Sequence, residues 1–384
     1  MIEIKRNQEC CGCGACAQIC PRQAITMIPD EEGFAYPKVD TEQCIRCGSC
    51  QRVCPMHRSN DRTDDAAVTA FAAYAKDGVL RTQSSSGGVF SVLALWVLQQ
   101  GGVVFGAAMV QDLSVGHICV ESAGELYRLR GSKYVQSTTG ETFRAAKAYL
   151  DAGRMVLYSG VACQIAGLKG YLQRDYENLY TLDVLCHGVP SPAVWARYVQ
   201  HLQSVHGSDV CNVNFREKST GWKQYSVETV FINGQQHVQK AEDNSFMRCF
   251  IQNICLRPSC HACRFKEFPR VSDLTLGDAW GIQKHMPDMD DDRGTSAVLI
   301  HSEKGWQLWN AVQDALQAKA CQLDVLLPPG ADSRRSVSPH PNRGRFMAAV
   351  GQGAPWEELQ RLQKVPAWRK AASKARHWVV SLKK

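Results

Sequence analysis

The sequence predicts an α+β / α/β protein, with a small cysteine-rich module at the N-terminus and a mixed α/β core behind it. Three observations carry that reading. A cysteine run occurs twice within residues 1–57. From about residue 67 onward, apolar strand-like stretches alternate with helix-like ones, the pattern of an α/β layer with some parallel pairing. The chain has 384 residues, 45% apolar and 21% charged, enough for more than one core. The longest apolar stretch, Val89 to Leu98, is too short to cross a bilayer, and MIEIKRNQECCGC lacks the apolar run of a signal peptide. A cytoplasmic location is therefore expected. Eighteen cysteines in that setting argue for metal or redox chemistry rather than disulfides.

Taken in order, residues 1–57 form the cysteine module and 58–66 (RSNDRTDDA) a polar, charged linker. An α/β domain is expected over 67–205. Its helices are Gly87–Gln100, Glu141–Ala152, Cys163–Leu172 and Ser191–Val205, the last entered through Pro192. Its strands are Gly102–Met109, Arg154–Ser159 and Leu179–Cys186. A second α/β domain, more β-rich at its start, is expected over 206–330. It contains strands Val210–Phe215, Tyr225–Ile232, Ser272–Gly277 and Thr295–His301, with a hairpin signal at Asn233-Gly234 and a helix from Glu303. Residues 331–384 read as a basic C-terminal extension.

The module's two runs are Cys10-x2-Cys13-x2-Cys16-x3-Cys20-Pro21 and Cys44-x2-Cys47-x2-Cys50-x3-Cys54-Pro55. This is the bacterial two-cluster 4Fe–4S ferredoxin pattern, in which the fourth cysteine of each run ligates the other cluster. The crossing assigns Cys10, Cys13, Cys16 and Cys54 to one cluster and Cys44, Cys47, Cys50 and Cys20 to the other. Gly12, Gly14, Gly48 and Ser49 let the backbone come close to the sulfurs. A zinc ribbon would use neither the third cysteine of each run nor the Cys-Pro pairs. Cys11 is surplus to the pattern and reads as a passenger.

Five further cysteines stand outside the module: Cys163, Cys186, Cys255, Cys260 and Cys263. Cys163 and Cys186 fall at predicted strand ends, where ligands collect in α/β sheets. Cys260 and Cys263 form a CxxC, but Arg264 follows where haem attachment needs His. Five thiols for four places suggest a third 4Fe–4S cluster with one thiol spare. Cys119, Cys211, Cys249 and Cys321 read as small core residues. Ser84-Ser85-Ser86-Gly87-Gly88 precedes a helix, and Arg130-Gly131-Ser132-Lys133-Tyr134 combines cations with hydroxyls; both suit phosphate, and both also suit plain structural roles. GxGxxG, Walker A and HExxH motifs are absent.

The formal charge of +7 shrinks to about +1 if twelve cysteines bind three clusters as thiolates, so a nucleic-acid role is not expected. A local excess remains in the tail, where Arg361 to Lys384 carries eight Lys/Arg and no acid. Its basic residues are interleaved with Trp368, Trp378, Val379, Val380 and Leu382. A helix from Ala367 could rest on anionic lipid, although packing against the protein body is the preferred reading.

With SSSGGVFS, LRGSKYVQS, SGVACQIAGLKGYL, LDVLCHGVPSPAVW, VNFREKSTGW, CLRPSCHACRFK and SDLTLGDAWGI following the ferredoxin runs, the chain resembles the coenzyme F420 hydrogenase/dehydrogenase beta-subunit family over residues 1 to about 310. The bacterial members it looks most like are often encoded among polysaccharide-biosynthesis genes. The family also includes 7-hydroxymethyl chlorophyll a reductase. The resemblance implies a flavoprotein, usually with FAD, and a 4Fe–4S cluster beside the flavin held by Cys163, Cys186, Cys260 and Cys263, with Cys255 as the alternative. It makes Ser85, Ser86, Gly87, Gly88, Arg130, Gly131, Ser132, Lys133 and Tyr134 candidate flavin contacts. One departure is Gly160-Val161-Ala162-Cys163, where the family commonly has Gly-Thr-Pro-Cys; the cysteine is kept.

The expected function is that of an iron–sulfur flavoprotein oxidoreductase. It would pass electrons between a ferredoxin-like carrier or partner redox subunit and a small-molecule substrate, a glycan precursor among the candidates, because a flavin joins one-electron to two-electron chemistry. His187, beside Cys186, is a candidate proton donor. The alternative is a flavin-free electron-transfer subunit that feeds a partner enzyme.

Overall fold

The computed structural model describes residues 1–58 and 68–364. The expected linker lies, apart from Arg58, outside the described residues, and so does the basic helix from Ala367. In the N-terminal module, α1 (Ala15–Gln18) is followed by the antiparallel pair β1 (Ile25–Pro29) and β2 (Ala35–Val39), then by α2 (Ser49–Arg52). Both short helices begin after a glycine at positive φ, Gly14 (+75°) and Gly48 (+76°). An L side chain is strained in that region, so glycine is what lets each cysteine loop turn directly into helix.

The core opens with β3 (Thr69–Ala75), α3 (Gly78–Thr82), α4 (Val89–Gln99), β4 (Val103–Met109) and β5 (Val115–Val120). It continues through α5 (Thr142–Asp151), β6 (Val156–Val161), α6 (Ala162–Leu172), β7 (Leu179–Val184) and α7 (Pro192–His206). A side sheet follows, made of β8 (Val210–Glu217), β9 (Ser226–Phe231) and β10 (Gln236–Lys240), with α8 (Ser245–Ile251) beyond it. The chain then returns through β11 (Leu274–Asp278), β12 (Ser296–Ile300), α9 (Glu303–Val312) and β13 (Leu316–Cys321).

The central sheet has eight strands in the order β13-β3-β12-β11-β7-β6-β4-β5. It draws on both sides of residue 205. Strands β4, β6, β7 and β11 run parallel, and the outer strands pair antiparallel. Strands β3, β5 and β13 are not among the strands expected from the sequence. Their place is set by long-range pairing such as Ala73 opposite Ser296.

Side chains alternate across the parallel strands, as a sheet covered on both faces requires. Val104, Leu157 and Leu182 face α4 and α9 and join Leu93, Val97 and Trp309. Val103, Phe105, Val156 and Tyr158 face α5 and α6. That second apolar cluster also takes in Cys11, Cys13, Ala15 and Val53 of the N-terminal module. Two glycines on α6 permit the junction. A Cβ on Gly170 would stand 2.4 Å from the Val53 carbonyl oxygen, and one on Gly167 would stand 2.8 Å from the Cys13 Cβ. The module's first cysteine loop therefore lies against the core.

No described helix is long and apolar enough to cross a membrane.

Candidate functional site

The outermost thiol set surrounds a cavity of about 330 Å3, its open mouth included, lined by Cys20, Cys44, Cys47 and Cys50 together with Pro21, Arg22, Ile25, Ile45, Arg46, Gly48 and Ser49. These four cysteines form the crossed set that the spacing implies. The local fold supplies backbone donors: the Ile2 amide donates to Cys50 Sγ at 3.2 Å and the Ala24 amide to Cys20 Sγ at 3.3 Å. Such amides stabilise negative sulfur. The hydroxyl of Ser49 and the nearby Arg52 lower the pKa of the Cys47 thiol.

The other set, Cys10, Cys13, Cys16 and Cys54, is turned inward. Burial and the neighbouring thiols raise Cys16, and burial raises Cys54 to about 11. The Gly12 amide donates to Cys10 Sγ at 3.4 Å. The loop is pinned from the core side: Arg257 Nε donates to the Cys10 carbonyl at 2.8 Å, Gln136 Nε2 to that of Cys11 at 3.2 Å, and Thr139 Oγ1 to that of Cys13 at 2.8 Å. A Cβ on Gly12 would come within 2.7 Å of the Arg257 and Gln136 side-chain ends, and at φ +73° any L side chain there is strained.

A second cavity, about 520 Å3 with its mouth included, lies at the carboxyl ends of β6 and β7. Its walls include Cys163, Cys186, Cys260 and Cys263. Cys163 stands in the first turn of α6, and Cys186 two residues past β7. Cys255 is fully buried between Ile254 and Leu256 in a different apolar cluster, which also holds Cys249. A fifth thiol does line the cavity: Cys11, whose thiol lies beside those of Cys13 and Cys163. It is therefore placed between the module and the core, and its only sequence signal was adjacency to Cys10.

Burial raises Cys186 to about 11 and Cys260 to about 12. The cavity supplies compensating charge, since Arg257, Arg264, Lys266 and Arg270 also line it. Arg270 is held by Asp183 at 3.3 Å and by the Val184 and Ser333 carbonyls. Lys266 donates to the carbonyls of His187 (2.9 Å) and Asp332 (2.6 Å). Among the described residues, no three His, Cys, Asp or Glu side chains converge as ligands of a single ion. The thiols stand around cavity walls, and a thiol-only donor set backed by buried cations suits an iron–sulfur cluster, whose thiolates carry excess negative charge. The buried Arg270 Nε also has no acceptor among the described residues, a spare donor at this site.

The two loops proposed to contact phosphate or flavin meet at the same end of the sheet. The Ser132 amide donates to Ser85 Oγ at 2.7 Å, and the two hydroxyls stand 3.1 Å apart. Ser86 Oγ donates to the Thr295 carbonyl, and the Gly87 amide to Ser296 Oγ. A Cβ on Gly87 would come within 2.5 Å of the Ala73 carbonyl oxygen, so Gly87 serves close packing, while Gly88 (φ +86°) starts α4. Arg130 bonds to Gln83 and Ser91. Gly131, at φ +82°, has open space at its Cβ position. Lys133 is spent on the carbonyls of Arg128, Leu129 and Arg130, and burial lowers its pKa to about 7.

Tyr134 leads to residues that the sequence reading did not single out. Its hydroxyl accepts from Arg216 at 3.2 Å, and Arg216 also bonds to Asp278 and to the Ser85 carbonyl. Trp222 donates to Asp278 at 3.0 Å and stacks on Trp280 at 4.5 Å, and Trp280 is 45% exposed. The buried Arg216 Nε has no acceptor among the described residues. An unused guanidinium donor beside the exposed Trp280 ring suits an anionic, aromatic ligand.

Phe250 lies between the two regions, 4.9 Å from the Tyr134 ring and 5.1 Å from that of His187. The His187 side chain itself bonds to Asn253 at 2.5 Å and faces Asp332 at 3.6 Å. Burial lowers its pKa.

Thiol sets running from the surface into an α/β core define an iron–sulfur electron-transfer protein. Residues 9–57 match a family described as 4Fe-4S dicluster domain, and residues 36–81 match a second family of that description. Residues 153–325 match the family described as the C terminus of the beta subunit of coenzyme F420 hydrogenase/dehydrogenase. The chain thus carries the C-terminal domain of the coenzyme F420 hydrogenase/dehydrogenase beta-subunit family behind a 4Fe-4S dicluster module.

Among solved structures, it is similar to a chain of the F420-reducing [NiFe] hydrogenase complex from Methanosarcina barkeri. The identity is 19% and the TM-score 0.48, with 75% of this chain and 91% of that chain covered. No curated protein matches.

Proposed function

We propose that the protein is an iron–sulfur flavoprotein oxidoreductase that exchanges single electrons with a carrier at the Cys20/Cys44/Cys47/Cys50 set and electron pairs with a small-molecule substrate. The observation that carries this reading is the order of the thiol sets. One opens to solvent, the next lies against the core, and the third sits at the carboxyl ends of the parallel strands. Cys163, Cys186, Cys260 and Cys263 would hold the third cluster, and Arg264, Lys266 and Arg270 would offset its charge. FAD would sit near Ser85, Ser132, Tyr134, Arg216 and Trp280, where it would supply the conversion between one-electron and two-electron transfer.

The chain's own residues then have defined tasks. Ser85 and Ser132 fix the two loops against each other, and Arg216 offers positive charge held in place by Asp278. Tyr134 and Phe250 fill the space toward His187. His187 would hold a proton near the third site, oriented by Asn253. The glycan-linked substrate class remains part of the proposal.

Anaerobic purification followed by cofactor extraction tests the reading: FAD is expected in the extract, with flavin bands over the broad iron–sulfur absorption. A spectrum of iron–sulfur clusters alone would favour the second reading, a flavin-free subunit that feeds a partner enzyme. The matched family's description as a beta subunit supports that alternative.

A further inference from the structure

We propose that the mouth of the Cys20/Cys44/Cys47/Cys50 cavity is the docking face for a small, acidic, one-electron carrier protein. This rests on the proposed exchange of single electrons at that set and adds the surface and the chemistry of the partner. The two sites of the module differ in access. The inner loop is covered by Arg257, Gln136, Thr139 and α6, whereas the outer cavity opens among exposed residues, with Cys47 itself exposed. A carrier protein can approach only the outer one closely.

The composition of that mouth selects the partner. Arg22 and Arg46, both exposed, line the cavity, and no acidic residue does. Arg52 adds a third cation, held over the same loop by bonds to the Cys47 carbonyl and Ser49 Oγ, both at 2.9 Å. Ile45, 61% exposed, gives the mouth an apolar centre. An apolar centre within a basic rim suits a carrier with carboxylates around its own exposed redox centre. Rim charges of this kind act mainly on the association rate and its salt dependence. Acidic membrane lipid would also be drawn to cations, but a mouth opening onto a redox centre is better matched to a protein that brings an electron.

The test is direct binding of a small acidic [2Fe–2S] ferredoxin to the anaerobic, cluster-loaded full chain. Wild type should bind in low salt and lose affinity steeply as salt rises. Arg22→Glu together with Arg46→Gln should weaken low-salt binding roughly tenfold and flatten the salt slope. Iron per chain, measured in parallel, should stay at the wild-type level. Salt-insensitive wild-type binding overturns the proposal whatever the variant does. So does equal affinity of wild type and iron-replete variant, or equal affinity for a carrier with a basic surface. Preferential binding to anionic vesicles over the ferredoxin would also overturn it. Salt-sensitive binding to a chain that yields no flavin would support the docking face while removing the flavoprotein reading.

Discussion

Arg257 donates from Nε to the carbonyl of Cys10 at 2.8 Å, and it stands only three residues before Cys260. One buried side chain thus ties the module's inner thiol set to the strip that carries the CxxC. Its other two nitrogens donate to Gln136 Oε1 and the Ala35 carbonyl, both at 3.0 Å. Arg257→Ala removes the donor from three part-buried acceptors. The expected cost is about 3 kcal/mol or more, at roughly 1–3 kcal/mol per orphaned group. Arg257→Lys should not restore it, because an ammonium cannot reproduce the planar fork. Thermal unfolding of anaerobic protein checks this, and a midpoint unchanged in Arg257→Ala would show that the tie is dispensable.

Close approach of α6 to the module gives a second prediction. Gly170→Ala forces a Cβ against the Val53 carbonyl and should destabilise by roughly 1–3 kcal/mol, as overpacking does. Gly344, in the helix Arg343–Gly351, has open space at its Cβ position. Gly344→Ala should therefore be neutral or slightly stabilising. Denaturant midpoints of the two variants should move apart, and equal midpoints would contradict the packing account.

The third prediction concerns Cys11 and Cys255. Cys11 touches Cys163 but is not among the four thiols assigned to the third cluster, and Cys255 lies in apolar core. Cys11→Ala and Cys255→Ser should both retain about twelve iron atoms per chain. Loss of about four from Cys11→Ala would make it a ligand and release one of the other thiols.

Acid sensitivity has a defined source. Burial lowers His117 to about 4 and His301 to about 3. His117 Nε2 pairs with the Ser159 carbonyl at 3.0 Å, and its buried Nδ1 has no partner among the described residues, so the neutral ring is the folded form. The unfolded chain takes up these protons near pH 6.5, and the folded chain only near 4 or below. Between those values the unfolded state binds more protons, so stability is full above about 6.5 and is lost as pH falls toward 4. His117 contributes at most about 3 kcal/mol of this. Unfolding midpoints from about pH 7 to about pH 5 should drop in wild type and drop less in His117→Gln; parallel slopes would contradict the assignment.

Local grouping was legible in the sequence. The spacing of the two cysteine runs implied the crossed set that surrounds the outer cavity, and the alternation from α4 to α7 marked the parallel layer. What was not legible depends on pairing far along the chain. Cys11 reaches Cys163 only because α1 packs on α6, and β11 joins β7 about ninety residues away through Leu274 opposite Leu182. Nothing in VNFREK marks Arg216 as buried, yet on β8 it lies buried against Asp278. The family resemblance favours Cys186 as a ligand and keeps Cys255 as the alternative. Only the fold puts one on a cavity wall and the other in apolar core.

The central claim is that the core thiols form a third cluster site continuous with the dicluster module. Its most direct measurement is iron per chain in anaerobically reconstituted protein, wild type beside single serine variants of Cys163, Cys186, Cys260 and Cys263. The account predicts about twelve iron atoms in wild type and about eight in each variant, because an alcohol is a far poorer iron ligand than a thiolate. About eight in wild type, unchanged by any of the four substitutions, would contradict it and leave an iron–sulfur chain that ends at the module.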